Sequence, residues 1–230
     1  VTRIGTGAAV AVAVALFARS PLAQDFPAPQ RPVAHIVSPT WGDARERDEA
    51  HEVDQIARRL GLKPGMTVGD IGAGRGYDTL RLARVVGPFG LVIGEDVTEP
   101  YLQALREAAR REGLLNVRTV LGAPDDPRLA PGSLDAAIMV HMYHEIARPY
   151  DLLWRLAGAF KTGGRLGIEE LDRPTAAHGT PPALLTCELA AVGYRRLSLA
   201  PLDGGLGYFA VFAAPAPGAR PAPGSIRPCR

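Results

Sequence analysis

At 230 residues, 47% apolar and 22% charged, the chain has the balance of one folded domain with a buried core, which excludes an intrinsically disordered protein. Its formal charge of +2 comes from arginines scattered among acids, with no basic block or aromatic-basic interleaving, so nucleic acid is not an expected partner. Two cysteines encode neither a disulfide framework nor a metal cluster, and Cys187, in LLTCELAA, reads as a small buried side chain on a helix.

Arg3 precedes an apolar run from Ala8 to Ala18, the layout of a secretory signal, and the run is shorter than the roughly 20 residues of a membrane span. With a cleavage junction at Ala23-Gln24, residues 1–23 read as a signal peptide or short anchor that exports the chain, to the periplasm; the alternatives are a cytoplasmic extension or a membrane anchor. Residues 19–40 are rich in Pro, Ala and Ser, and their part beyond the junction, 24–40, reads as a linker, with residues 215–230, PAPGARPAPGSIRPCR, as a disordered tail. The folded domain is therefore expected over 41–214.

Within it, Ala50, Val53, Ile56, Ala57 and Leu60 fall at helical spacing before Gly61, and the strand MTVGDI follows. The rhythm recurs as helix YDTLRLARVV, strand LVIGED, a helix over 100–112, strands VRTVL and LDAAIMV, a helix over 149–160 and strand RLGIEE. Strands alternating with helices predict a doubly wound, mostly parallel α/β sheet. A helix at 182–192 and two strands joined by a short link, YRRLSLA and GYFAVFA, predict an antiparallel pair at the end.

The loop VGDIGAGRGY turns the first strand into its helix, where open parallel sheets bind ligands. Gly72, Gly74 and Gly76 let the backbone approach a ligand. A nicotinamide fingerprint would carry glycine at position 77, where Tyr77 stands, and would run apolar at Asp70. An acid, one residue, then G-x-G-x-G resembles the first motif of the class I S-adenosylmethionine-dependent methyltransferases. VIGED, LGAPDDP, PGSLDAAIMVH and KTGGRLGI resemble that family's later segments in order, over nearly all of residues 50–213. The resemblance implies a seven-stranded Rossmann-like sheet and S-adenosylmethionine as cofactor. It places Asp70, Gly72, Gly74 and Gly76 in the cofactor loop, Asp96 on the ribose hydroxyls with Glu95 as near alternative, and Asp126 on the adenine amino group. Arg75 either meets the cofactor's carboxylate or faces solvent.

VHMYHEI, after the fourth strand, should emerge at the ligand edge, which makes His141 and His144 the candidate catalytic residues. A histidine suits the proton transfer that an oxygen or nitrogen acceptor requires. His144 is read equally as a base or as part of the cofactor wall, and His141 as the residue nearer the transferred methyl. No third metal ligand is evident, so no metal is expected. Asp172 and His178 lie on the next connection, as polar loop residues or as lining of an acceptor pocket. Trp41 and Arg47 precede the first helix, as a lid or as packing. The expected function is methyl transfer to a small-molecule acceptor, with a non-catalytic S-adenosylmethionine-binding or sensing protein as the alternative.

Overall fold

In a computed structural model of the chain the described residues are 26–36 and 42–229; residues 1–23, the ends of the expected linker and Trp41 lie outside them. Helix α1 (Ala44–Glu49) is capped by Asp43, whose carboxylate accepts the N–H groups of Arg45 and Glu46. Helix α2 (Glu52–Leu60) buries Val53, Ile56, Ala57 and Leu60 and ends where Gly61 turns left-handed at φ 73°. There follow β1 (Thr67–Ile71), α3 (Tyr77–Val86), β2 (Leu91–Asp96), α4 (Glu99–Arg111), β3 (Val117–Leu121) and β4 (Leu134–Val140). The chain continues through α5 (Pro149–Ala159), β5 (Phe160–Glu170), α6 (Pro182–Ala191), β6 (Arg195–Pro201) and β7 (Tyr208–Ala213).

The seven strands make one sheet in the order β3-β2-β1-β4-β5-β7-β6. Pairing is parallel from β3 through β5, and β7 runs antiparallel to both β5 and β6. β4 is sealed on both faces, so Ala136 to Met139 form an unbroken buried apolar run instead of an alternating one. Helices α5 and α6 cover one face and α2 and α3 the other. Because the chain winds outward from β1 to β3 and then returns to lay β4 beside β1, the connections leaving β1 and β4 diverge. The gap between them at the strands' carboxyl ends is where such sheets take ligands.

Both flanks of the domain depart from expectation. Residues 26–36, expected as linker, pack behind the segment after β4: buried Arg31 pairs with Glu188 at 3.1 Å and donates to the carbonyls of Tyr143, His144 and Ile146. The stretch after β7, expected to be disordered, runs back along α5. Trp154 donates its indole N–H to the Pro221 carbonyl, Arg220 stacks on the Trp154 ring, and Ile226 is buried. Cys229 joins Cys187 in a disulfide between Cα atoms 6.0 Å apart, so Cys187 is a crosslinked residue and not a free buried thiol. Proline-rich composition lowers helix and strand content, but it does not prevent packing when aromatic and aliphatic side chains find a groove.

Among the described residues no helix is long and apolar enough to cross a membrane. The disulfide closes a loop between positions 42 residues apart. Cys229→Ser is therefore expected to lower the unfolding free energy by about 2 to 4 kcal/mol, read from urea denaturation. An unchanged midpoint would show that the crosslink contributes no stability.

Candidate active site

A cleft of about 400 Å³ opens at the carboxyl ends of the parallel strands, within the usual range for small-molecule sites. One half is built by the glycine loop and the end of β2, including Gly72, Gly74, Glu95 and Asp96. The other half is built by the connections after β4 and β5, including His141, Met142, His144, Glu145, Arg173 and His178.

The loop is bonded to β2 through its own N–H groups. Those of Gly72 and Ala73 both donate to the Glu95 carbonyl at 2.8 Å, and that of Gly74 donates to Asp96 Oδ2 at 2.9 Å. The Gly76 N–H closes onto the Ala73 carbonyl. These donors are thus spent inside the protein, whereas a pyrophosphate cradle needs them free. Gly72 takes a left-handed φ of 74°, and a Cβ there would sit 2.9 Å from Met142 Cε, so only glycine fits between β1 and the segment after β4. Asp96 Oδ1 also accepts the Thr98 N–H at 2.8 Å, and each of its oxygens keeps a further lone pair.

Buried acids collect under this half. Burial, reinforced by neighbouring Asp96, pushes Glu95 up to about 8, and burial pushes Asp70 up to about 7. Arg47, which the sequence offered as lid or packing, is buried in the cleft wall, paired with Glu52 and Asp78 and stacked 3.6 Å from the Tyr77 ring centroid.

In the other half each histidine meets one of two adjacent acids that end β5. His141 Nε2 lies 3.1 Å from Glu169 Oε1, and His144 Nδ1 lies 2.8 Å from Glu170 Oε1. Burial drives the first pair neutral: it pulls His141 down to about 3 and pushes Glu169 well above the carboxylate range. His144 presents its other ring nitrogen toward Glu145, 3.9 Å away, and its ring meets that of His178 edge-on.

The structure thus brings Gly72, Gly74, Asp96, His141 and His144 together, and does not bring the other three expected site residues to the cleft. Asp70 lies beneath the loop and accepts the Thr79 hydroxyl of α3. Gly76 is a packing glycine, where a Cβ would meet Leu105 of α4 at 2.1 Å. Asp126 closes a tight turn with Ala123 and directs its carboxylate to Arg155 at 3.1 Å, leaving Ala123 and Pro124 to line the cleft. Arg75 is exposed, and so is Asp172, whereas His178 lines the cleft. Glu169 and Glu170 went unnoticed as functional groups, although two acids ending an otherwise apolar strand were the available signal.

Residues 68–164 match the family model for a methyltransferase domain. Nocamycin O-methyltransferase of Saccharothrix syringae is 32% identical over 120 residues, 49% of this chain and 42% of that one. Arsenite methyltransferase of Halobacterium salinarum is 29% identical over 161 residues, 62% of this chain and 40% of that one. The chain thus spans about two fifths of the length of these relatives. The crystal structure of an S-adenosylmethionine-dependent methyltransferase from Aquifex aeolicus superposes with a TM-score of 0.66 at 26% identity, covering 75% of this chain and 98% of that one. The methyltransferase-domain match over residues 68–164, the methyltransferase relatives and the Aquifex aeolicus superposition support a class I S-adenosylmethionine-dependent methyltransferase domain with S-adenosylmethionine as its cofactor. The cleft fits that molecule, because the loop offers close backbone approach, with the N–H groups of Gly72, Ala73 and Gly74 already bonded within the protein, and the Asp96 carboxylate stands at its edge with lone pairs to spare.

Asp96→Asn is expected to weaken S-adenosylmethionine binding by about 1.5 to 3 kcal/mol in calorimetric titration, with no measurable NAD binding in either protein. Equal affinity in the folded variant would move the ribose contact elsewhere. Glu95 also sets a pH dependence. Its folded value near 8 lies above its unfolded value of 4.5, so the folded state holds an extra proton across that window. Stability should therefore fall as pH rises from about 4.5 to 8, and Glu95→Gln should flatten that slope in thermal unfolding. The same slope in the variant would assign it to another buried acid.

Proposed function

We propose that this protein transfers the methyl group of S-adenosylmethionine to a small-molecule acceptor seated against His144. The observation that carries this reading is the continuity of one cleft, from a glycine cradle whose N–H groups are already spent to a histidine oriented by a buried carboxylate. The bound donor supplies a methyl group on a positively charged sulfur, open to in-line displacement.

The chain's own residues then bind, position and move a proton. Gly72 and Gly74 admit the donor against the backbone, and Asp96 offers its remaining lone pairs to the ribose hydroxyls. Holding donor and acceptor in line is the larger part of catalysis for such a displacement. For an oxygen or nitrogen acceptor, His144 Nε2 takes the departing proton while Glu170 holds Nδ1–H and steadies the imidazolium. His141 is less suited to that task. Its Nε2 faces Glu169, and burial keeps the ring neutral, so it serves better as a fixed wall. Both cysteines are crosslinked to each other and neither lines the cleft, so a thiophilic acceptor has no thiolate to hold it there.

The disulfide also supports export, since such bonds persist in oxidising compartments. On that reading, intact-mass and thiol-labelling analysis of fractionated cells should find a crosslinked chain starting near Gln24 outside the cytoplasm. A full-length cytoplasmic species with free thiols would overturn it.

The chemistry is tested by incubating the protein with S-adenosylmethionine and small-molecule mixtures and screening for mass gains of one methyl group. With an acceptor in hand, His144→Gln should cut turnover by about 10² to 10⁴ while donor affinity stays nearly unchanged. A parallel loss of donor binding would make His144 part of the cofactor wall instead.

A further inference from the structure

We propose that His144, Glu145 and His178 form a site for one divalent first-row transition ion, with zinc as the reference case, at the acceptor end of the cleft. The ligand atoms of these three side chains all lie within 4.8 Å of one another. They come from two connections, after β4 and after β5, that the sheet sets side by side. That is why the third ligand, His178, could not be recognised from its place in the sequence.

Three features distinguish this cluster from a chance meeting of polar side chains. The first lies behind His144. Glu170 accepts the backbone N–H of His144 and that of Leu171, so it is an acceptor on every side, and His144 Nδ1 must be the donor in the 2.8 Å contact. The lone pair then sits on Nε2, on the side of Glu145 and His178. A carboxylate that fixes the tautomer and orientation of an imidazole is the usual support for a metal-binding histidine.

The second is the backbone of His178. It adopts a left-handed φ of 55°, uncommon for a residue other than glycine, at the end of the short turn Thr175–Ala177. The Thr175 hydroxyl ties that turn to the Pro32 carbonyl at 2.7 Å. The structure thus holds in place a strained position whose side chain lines the cleft.

The third is the donor set. Two imidazoles and one carboxylate suit zinc and its first-row neighbours, leave coordination positions open, and disfavour magnesium and calcium, which take oxygen ligands. Bonds of about 2.1 Å put neighbouring ligand atoms roughly 3.0 to 3.4 Å apart, closer than the 3.9 Å between His144 Nε2 and Glu145 Oε1. Glu145 and His178 are only half-buried, so side-chain rotation can close the difference. Resting on the methyl-transfer reading, an ion here selects acceptors with a metal-binding oxygen, such as phenols, enols or hydroxy acids. It would also take over from the bare imidazole the task of lowering the acceptor's proton affinity.

The test is titration of the full chain, without a histidine tag and stripped by chelator, with cobalt(II) followed by its visible absorbance. One cobalt per chain, displaced by zinc, is expected. His178→Ala and Glu145→Gln should each weaken binding at least about tenfold. His51→Ala, which alters an exposed histidine outside the cleft, should leave it unchanged. Retained S-adenosylmethionine affinity in His178→Ala shows that the cleft is intact. Absence of saturable cobalt binding, or binding undiminished in a folded His178→Ala, overturns the site. Metal binding without methyl transfer to any acceptor leaves the site standing and counts against the proposed activity alone. Methyl transfer by a chain that binds no cobalt does the reverse.

Discussion

The closure of the glycine loop onto the end of β2 is the constraint from which the rest of the site follows. Three consecutive N–H groups, those of Gly72, Ala73 and Gly74, all donate to Glu95 or Asp96, so the first two parallel strands and the turn between β1 and α3 form one rigid unit. That unit favours glycine at position 72, because its backbone is left-handed at φ 74° and Met142 packs against it from the β4 side. It also decides what kind of ligand can be held. A loop that has spent the N–H groups of Gly72, Ala73, Gly74 and Gly76 internally offers shape and the Asp96 carboxylate in place of an anion nest, which separates an S-adenosylmethionine site from a dinucleotide site on the same type of sheet.

The opposite half of the cleft depends on burying charge-bearing groups in pairs. Glu169 and Glu170 are both fully buried, and successive residues of a strand face opposite ways, so each acid finds a different histidine. An isolated buried carboxylate would be costly, whereas one that shares a proton or accepts several N–H groups is tolerated. The two pairs solve this differently. His141 and Glu169 settle as a neutral pair, while Glu170 gathers two backbone N–H groups and an imidazole N–H. The result is one histidine fixed in the wall and another whose free nitrogen is turned toward the ligand.

Behind this half, the two flanking segments act as straps. Arg31 donates to the carbonyls of Tyr143, His144 and Ile146 in the short turn after β4, and Glu188 of α6 receives both Arg31 and the Tyr143 hydroxyl. Phe26 and Arg220 both pack against the Trp154 ring, and the disulfide anchors the end of the second strap one residue from Glu188. The histidine segment is therefore backed by parts of the chain far from it in sequence, which lets an irregular turn hold its geometry.

Local pattern was enough to determine the alternation of helices and strands, the antiparallel closing pair, and the places of the glycine loop after β1 and of Asp96 at the end of β2, because each is written in neighbouring residues through periodicity, turn chemistry or fixed spacing. The same reading assigned Asp70, Gly76 and Asp126 to the cofactor, although only tertiary packing decides where a side chain at a known place in the chain points. Asp70 is drawn under the loop by Thr79, Gly76 is claimed by Leu105, and Asp126 is turned away by Arg155. The partnership of Cys187 with Cys229, the matching of His141 and His144 to the acids that end β5, and the meeting of His144 with His178 were likewise settled by the fold alone. Each joins residues more than 25 positions apart, and no local rule of spacing carries information across such a separation until the sheet order has set their connections side by side.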